Sequence, residues 1–336
     1  MFSSYSPDYI GALLPVWYNN AKPKNREESE VCRYSVIFYA LFSNKNKADF
    51  EAETTLCFIN AKNSANCEQR KGRYHTMGKS IVITNRKGGC GKSFTAASLG
   101  VGLVRQGKKV LLLDADNQHS LTVSMGVSEP DKLPVTLATV IADILDEKDF
   151  DPTAGIIHHA EGVDIMPSNN SLTGIELALA QLIGRETILR QYIEKVQPLY
   201  DYILIDTCPT LDLLTINALA AADSAIIPVA PKFLDAKGLE LLLKSIAQIR
   251  KFINPGLTID GILLTMVDKR PKFTKEIIGM INEAYGEKIR VFAEHIPHSV
   301  RAVEASATGK SIFTHDPNGT IAAAYAALAE GVLENA

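Results

Sequence analysis

Little in this sequence marks a membrane protein, a secreted scaffold or a bulk nucleic-acid binder. No apolar run approaches the ~20 residues that cross a bilayer, which excludes a transmembrane helix. The apolar piece from Tyr9 to Tyr18 is interrupted by Pro15 and no basic stretch precedes it, which argues against a secretory signal. Cysteine is sparse: five in 336 residues, an odd number, with no C-x-x-C pair among Cys32, Cys57 and Cys67. That excludes a disulfide framework and an evident zinc site, and fits a reducing, cytosolic setting. A formal net charge of −3 supplies no general attraction for nucleic acid, so any such role must rest on a local patch.

What is present divides near residue 77. Residues 1–76 hold three of the five cysteines and the single tryptophan, Trp17, and show no sustained period of 2 or 3.6. We expect them to be a disordered extension, or the product of an upstream start codon with Met77 as the true first residue. A small regulatory or DNA-binding domain is the other reading, although no matched helix pair with a turn glycine is visible. From Met77 onward apolar strands alternate with amphipathic helices, the texture of a βα-repeated parallel sheet. The expected fold is therefore α/β: a twisted, mainly parallel sheet with helices on both faces, spanning 77–336. Strands are predicted at 81–84, 109–116, 202–209, 225–230 and 257–266. Helices are predicted at 94–104, 213–222, 234–252, 272–285 and 317–333.

The stretch Lys87-Gly88-Gly89-Cys90-Gly91-Lys92-Ser93 carries the chemistry. A phosphate-binding loop needs glycines so that backbone N–H groups can curl around an anion. It needs a lysine (Lys92) to reach the terminal phosphates and a hydroxyl (Ser93) to hold magnesium. Gly88 does not stand where the first glycine of G-x-x-x-x-G-K-[ST] belongs, and Lys87 supplies a second lysine, so this is a deviant form of the loop. Strand before and helix after are the context that aims amides and a helix N-terminus at phosphate. The binding stretch is expected to run from Lys87 through Phe94.

Three acids follow at strand ends. Asp114 and Asp116 close the second strand and, by alternation, are expected to point the same way, toward the phosphates. Asp206 closes the third, the position of an outer-sphere magnesium holder. Ser93, Asp114 and Asp206 are thus expected at the metal, and Asp116 as the group that orients the attacking water.

These blocks resemble the ParA family of partitioning ATPases, within the ParA/MinD group of deviant Walker-type switches. The resemblance runs from Met77 to the end of the chain. It rests on 77–93, on Asp114-Ala115-Asp116-Asn117-Gln118 (Asn117 replacing the usual proline), on Asp206-Thr207-Cys208-Pro209 with 214–219, and on Ile296-Pro297 through Lys310. It implies ATP and Mg2+ as ligands. Lys87 would reach the partner's phosphates in an ATP-bound homodimer. Non-specific DNA and a ParB-type centromere-binding protein would be partners, in the cytoplasm on the nucleoid. The cargo would be plasmid, integrative element or chromosome DNA. Met266, Asp268 and Pro297 are expected at the base.

Two basic patches are candidates for DNA: Lys237, Lys244, Arg250 and Lys251 on one helix, and Lys269, Arg270, Lys272, Lys275 and Arg301 near another. On the first helix Leu239, Leu243, Ile246 and Ile249 are expected to form the core face. A MinD-like membrane role would need a basic amphipathic C-terminal helix, whereas the end of this chain is acidic and small, so no membrane partner is expected. An iron–sulfur reductase would need two cluster cysteines, and beyond Met77 only Cys90 and Cys208 exist. A positioning ATPase for another cargo, such as a protein cluster, stays open.

Overall fold

The computed structural model describes residues 78–334 except 269, with backbone only for 233–237. The expectations for residues 1–76, and for the side chains of Lys237 and Lys269, fall outside the described residues.

Seven strands form one sheet in the order β3-β4-β2-β5-β1-β6-β7. They are β1 (Lys79–Ile83), β2 (Val110–Ala115), β3 (Ile157–His158), β4 (Asp164–Met166), β5 (Tyr202–Thr207), β6 (Ser224–Val229) and β7 (Thr258–Leu264). Every pairing is parallel except that of β3 with β4. The short β3 and β4 had no sequence prediction: two- and three-residue strands are too brief to show a period.

The strands that carry the site are buried along their whole length, so both faces must be covered. Alternation divides them cleanly. Val82, Leu111, Leu113, Ile203 and Ile205 belong to one core layer. Ile81, Ile83, Val110, Leu112, Tyr202 and Leu204 belong to the other. Continuing the second series by two residues reaches Asp114 and Asp206, which places both acids on the face covered by α1 (Lys92–Arg105).

Helix α1 starts directly from the glycine loop and presents Ala96, Leu99 and Leu103 to the sheet at helical spacing. It ends at Gly107, which takes φ +79 and returns its N–H to the Val104 carbonyl at 2.8 Å. Gly100 lets α1 lie close on the sheet: a Cβ there would stand 2.5 Å from Leu112 Cδ2. The remaining helices are α2 (Ser120–Ser124), α3 (Leu137–Leu145), α4 (Leu172–Leu179), α5 (Ile188–Val196), α6 (Leu213–Ala221) and α7 (Phe233–Phe252). They continue with α8 (Lys272–Tyr285), α9 (Val300–Ala307), α10 (Ile312–His315) and α11 (Thr320–Leu333). Among the described side chains of α7 the buried ones are Leu239, Leu242, Ile246 and Ile249. Leu243 is half-buried, so Leu242 takes the seat expected for it, one residue back around the helix.

Helix α11 lies on α1 and buries Tyr325, Leu328, Ala329 and Val332 against it. The Tyr325 hydroxyl shares a hydrogen bond of 2.9 Å with Thr95 Oγ1 on the first turns of α1. Both groups are buried. Tyr325→Phe keeps the ring and removes that bond, and should cost about 1 kcal/mol. We expect calorimetry to show a melting temperature lower by roughly 2–4 °C.

Candidate functional site

The loop from Asn85 to Ser93 joins the end of β1 to α1, in the crevice at the carboxyl ends of β5, β1 and β6. Gly89 and Gly91 adopt φ +70 and +84, a conformation side chains resist, which turns the backbone into a concave cradle. A Cβ on Gly89 would meet no atom within 4 Å, so the positive φ and not a close approach is what calls for glycine there. Neighbouring strands pin the loop. Asn85 Nδ2 donates to the Pro228 carbonyl at 2.6 Å, while its Oδ1 accepts from Lys87 N at 3.1 Å. Thr265 Oγ1, just past β7, donates to the Cys90 carbonyl at 2.8 Å.

The two lysines differ in setting. Lys92 is 7% exposed, and its Nζ curls back to the Lys87 carbonyl at 3.4 Å. Lys87 is exposed at the rim. Five residues apart in one loop, one is buried and the other faces out. Ser93 follows, half-buried. The Phe94 ring turns away to pack edge-on against Tyr325, with centroids 5.7 Å apart, so its backbone N–H is what it can offer a phosphate.

Asp114 and Asp206 are aligned across β2 and β5, and both are fully buried. Their environments differ in the hydrogen bonds they receive. Asp114 accepts from Thr122 N at 2.8 Å, Thr122 Oγ1 at 2.6 Å and Asp116 N at 3.1 Å. Asp206 has both carboxylate oxygens buried with no hydrogen-bond partner. Burial raises the pKa of Asp114 to about 6 against these donors. Burial, then the Asp114 charge, holds Asp206 well above the ordinary carboxylate range, opposed by the Ser93 hydroxyl and the Lys92 ammonium. A buried carboxylate with unused lone pairs beside a hydroxyl is a donor set suited to a hard cation with oxygen ligands. Asp114 already accepts three hydrogen bonds, which leaves it less free capacity for a cation than Asp206 has.

The expected strand is one residue too long at its carboxyl end, while Asp114 and Asp116 stay close: the charge of Asp116 acts on both Asp114 and Asp206. β2 ends at Ala115, so Asp116 belongs to the turn beyond it, where alternation no longer applies. Asp116 is 5% exposed, and its Oδ1 accepts from Gln118 N at 2.9 Å. Burial raises its pKa, and Lys92 is close enough to oppose the shift.

Pro297 lines a pocket of about 520 Å3 with Val267, Asp268, Arg270, His295, His298 and Thr320. The Val267–Pro297 bridge holds its two walls together. Met266 is not among the lining residues. It takes φ +52, and its Cε would stand 3.9 Å from a Cβ on Gly91, against the loop itself. Asp268 is held near 2 by Arg270, which grips it through Nε at 2.9 Å and a second nitrogen at 2.7 Å.

The expected basic patches are thinned by local pairing. Lys244 bonds Glu240 at 2.6 Å, Arg270 bonds Asp268 and Arg301 bonds Glu304 at 3.0 Å, while Lys272 and Lys275 stay exposed. Among the described residues no helix is long and apolar enough to cross a membrane. Cys208 is buried, donates to the Asp212 carboxylate and has its thiol pushed up to about 11, chiefly by burial, which makes it a poor cluster ligand.

Sequence reasoning missed Asn85, Thr122, Ser168 and Thr265. Each makes a contact that reaches across 46 to 175 positions, of which neighbouring residues carry no trace. The adjacency of Asn85 to the loop was the one usable signal.

The raised Asp pair gives a pH signature. A carboxyl raised in the fold is bound to its proton where the unfolded chain has released it. Its penalty is therefore absent below the unfolded value of about 3.9 and complete above the folded value, about 6 for Asp114. Without nucleotide and with a chelator present, thermal stability should fall as pH rises from about 4 through 6. Asp206→Asn removes the orphaned charge and should raise stability at pH 7.5 by on the order of 1–3 kcal/mol. A lower melting temperature for that variant would contradict the assigned environment.

Similarity to known proteins agrees with this geometry. A family described as "AAA domain" matches residues 78–259. The sporulation initiation inhibitor protein Soj of Bacillus subtilis is 38% identical over 259 residues, covering 77% of this chain and 100% of Soj. The chromosome partitioning protein ParA of Caulobacter vibrioides is 33% identical, covering 75% of this chain and 93% of that protein. Among solved structures, cobyrinic acid a,c-diamide synthase from Mycobacterium smegmatis with bound ADP and magnesium superposes with a TM-score of 0.67 at 31% identity. That match covers 77% of this chain and 95% of the synthase. One relative aligned along its whole length, and a family match over more than half of the sequence, fix the lineage: this chain belongs to the ParA family of partition ATPases.

Proposed function

We propose that the protein is an ATP-driven switch that closes into a homodimer, binds DNA without sequence preference and partitions plasmid, integrative-element or chromosomal DNA with a ParB-type partner. It is an ATPase that uses Mg2+. The relatives named above supply the class, and a synthase similar in fold holds ADP with magnesium. The observation that carries the dimerising reading is the contrast between the loop lysines: Lys92 is buried over its own loop, whereas Lys87 stands exposed at the rim.

Each residue then has a task. The amides from Gly88 to Ser93 and the Lys92 ammonium hold the β- and γ-phosphates and offset their charge. Ser93 and Asp206 would hold the magnesium, which would supply charge neutralisation at the phosphates. Asp116 orients the attacking water; positioning, not strong basicity, is what phosphoryl transfer asks of it. Lys87 reaches the phosphates of the facing subunit. The pocket at Pro297 takes the base. Residues from Met77 onward form the ATPase unit. Because α11 is packed into the core, a surface-lying membrane helix is not available there, which favours DNA over a membrane as the track. Lys272 and Lys275 are the exposed cations best placed to meet phosphate backbone.

The decisive experiment measures ATP turnover with and without duplex DNA and a candidate ParB-type protein. Stimulation by both together is expected, and none by either or both would reject the partition reading. Lys92→Ala should abolish nucleotide binding. Asp116→Ala should bind ATP and dimerise, yet hydrolyse at least ~100-fold more slowly. Lys87→Ala should bind ATP as a monomer, seen by light scattering. DNA affinity should fall steeply with salt, by a slope near one per phosphate contacted.

A further inference from the structure

Asp116 sits beyond the last paired residue of β2, so the sheet does not hold it. What does hold it comes from a different part of the chain. Ser168, two residues past β4, is 0% exposed. Its Oγ donates to the Asp116 carbonyl at 2.7 Å, a bond between residues 52 positions apart. Its backbone N–H donates to Thr122 Oγ1 at 3.0 Å. Thr122 in turn donates its hydroxyl and its N–H to Asp114, and Asp114 accepts the N–H of Asp116. The path closes on itself: Asp116 to Asp114, Asp114 to Thr122, Thr122 to Ser168, Ser168 back to Asp116.

The peptide of Asp116 is therefore fixed at both ends. Its N–H is held by Asp114, and its carbonyl by Ser168 together with His119 N at 3.0 Å. The turn needs such a restraint, because His119 takes φ +45, a left-handed conformation uncommon for a residue with a side chain. Of these restraints Ser168 alone lies outside the β2–α2 segment, so it ties the orientation of Asp116 to the end of β4. All its partners are buried, so water cannot substitute for it easily.

We propose that Ser168 is a positioning residue for hydrolysis, holding Asp116 where its carboxylate can orient the attacking water. It touches neither nucleotide nor water itself. The proposal rests on the water-orienting role given to Asp116 above.

The test uses the full-length protein and compares Ser168→Ala, Asp116→Ala and the double variant. Readouts are kcat, the KM for ATP, ATP-dependent dimerisation and melting temperature. Ser168→Ala should lower kcat by roughly 10- to 100-fold, the scale expected of an ~1 Å misplacement. KM and dimerisation should stay within about twofold of the parent. The double variant should be no slower than Asp116→Ala alone, because both act through one carboxylate. Ser168→Cys keeps the shape and weakens the donor, so an intermediate kcat is expected; it carries the test if the alanine variant does not fold. A parental kcat in Ser168→Ala, losses that multiply in the double variant, or a parallel fall in binding, dimerisation and melting temperature would overturn the positioning role while Asp116→Ala stays inactive. If Asp116→Ala itself turns over normally, the reading of Asp116 fails, and this proposal with it.

Discussion

Two carboxylates buried side by side are the constraint around which this structure is arranged. Asp114 and Asp206 occupy matched positions on adjacent central strands, on the face that also carries the phosphate loop. Apolar layers close both sides of the sheet, so neither charge reaches water. Such a pair is costly unless something shares the charge. Thr122 and the turn at Asp116 relieve one member, while the other is left with only the Lys92 ammonium and the Ser93 hydroxyl near it. A fold that keeps an unsatisfied anion at its centre is biased toward accepting a cation there, and ATP arrives with one.

The large pattern was legible because it is periodic. β1, β2, β5, β6 and β7, and helices α1, α6, α7, α8 and α11, were all readable from apolar spacing, with ends shifted by a few residues. The loop was legible because glycine and lysine at fixed spacing have few other uses. The region from Ser120 to Leu199 was not, since its strands are two and three residues long and its helices short. The seat of Leu242 was misread for a related reason: neighbouring leucines on α7 leave the apolar face ambiguous by one position.

The site was legible in part. Strand-end position picks out Asp114 and Asp206, and chain order supplies Asp116. What separates their environments is invisible in sequence, because it depends on which oxygens already have donors. Thr122 gives Asp114 two hydrogen bonds and Asp206 receives no comparable donor, and that difference arises from packing between α2 and the end of β2. Asn85, Ser168 and Thr265 share this character: small polar residues of unremarked type, given meaning by partners far away in the chain.

The contact between α11 and α1 carries a consequence for biosynthesis. Among the described elements α1 is the first helix to be made and α11 the last. Until α11 is made, the part of α1 that Tyr325 and Leu328 cover stays open, although Phe313 of α10 packs beside it. The helix that anchors the phosphate loop is therefore completed by a contact 230 positions away in the chain, so its seat forms only once α11 has docked.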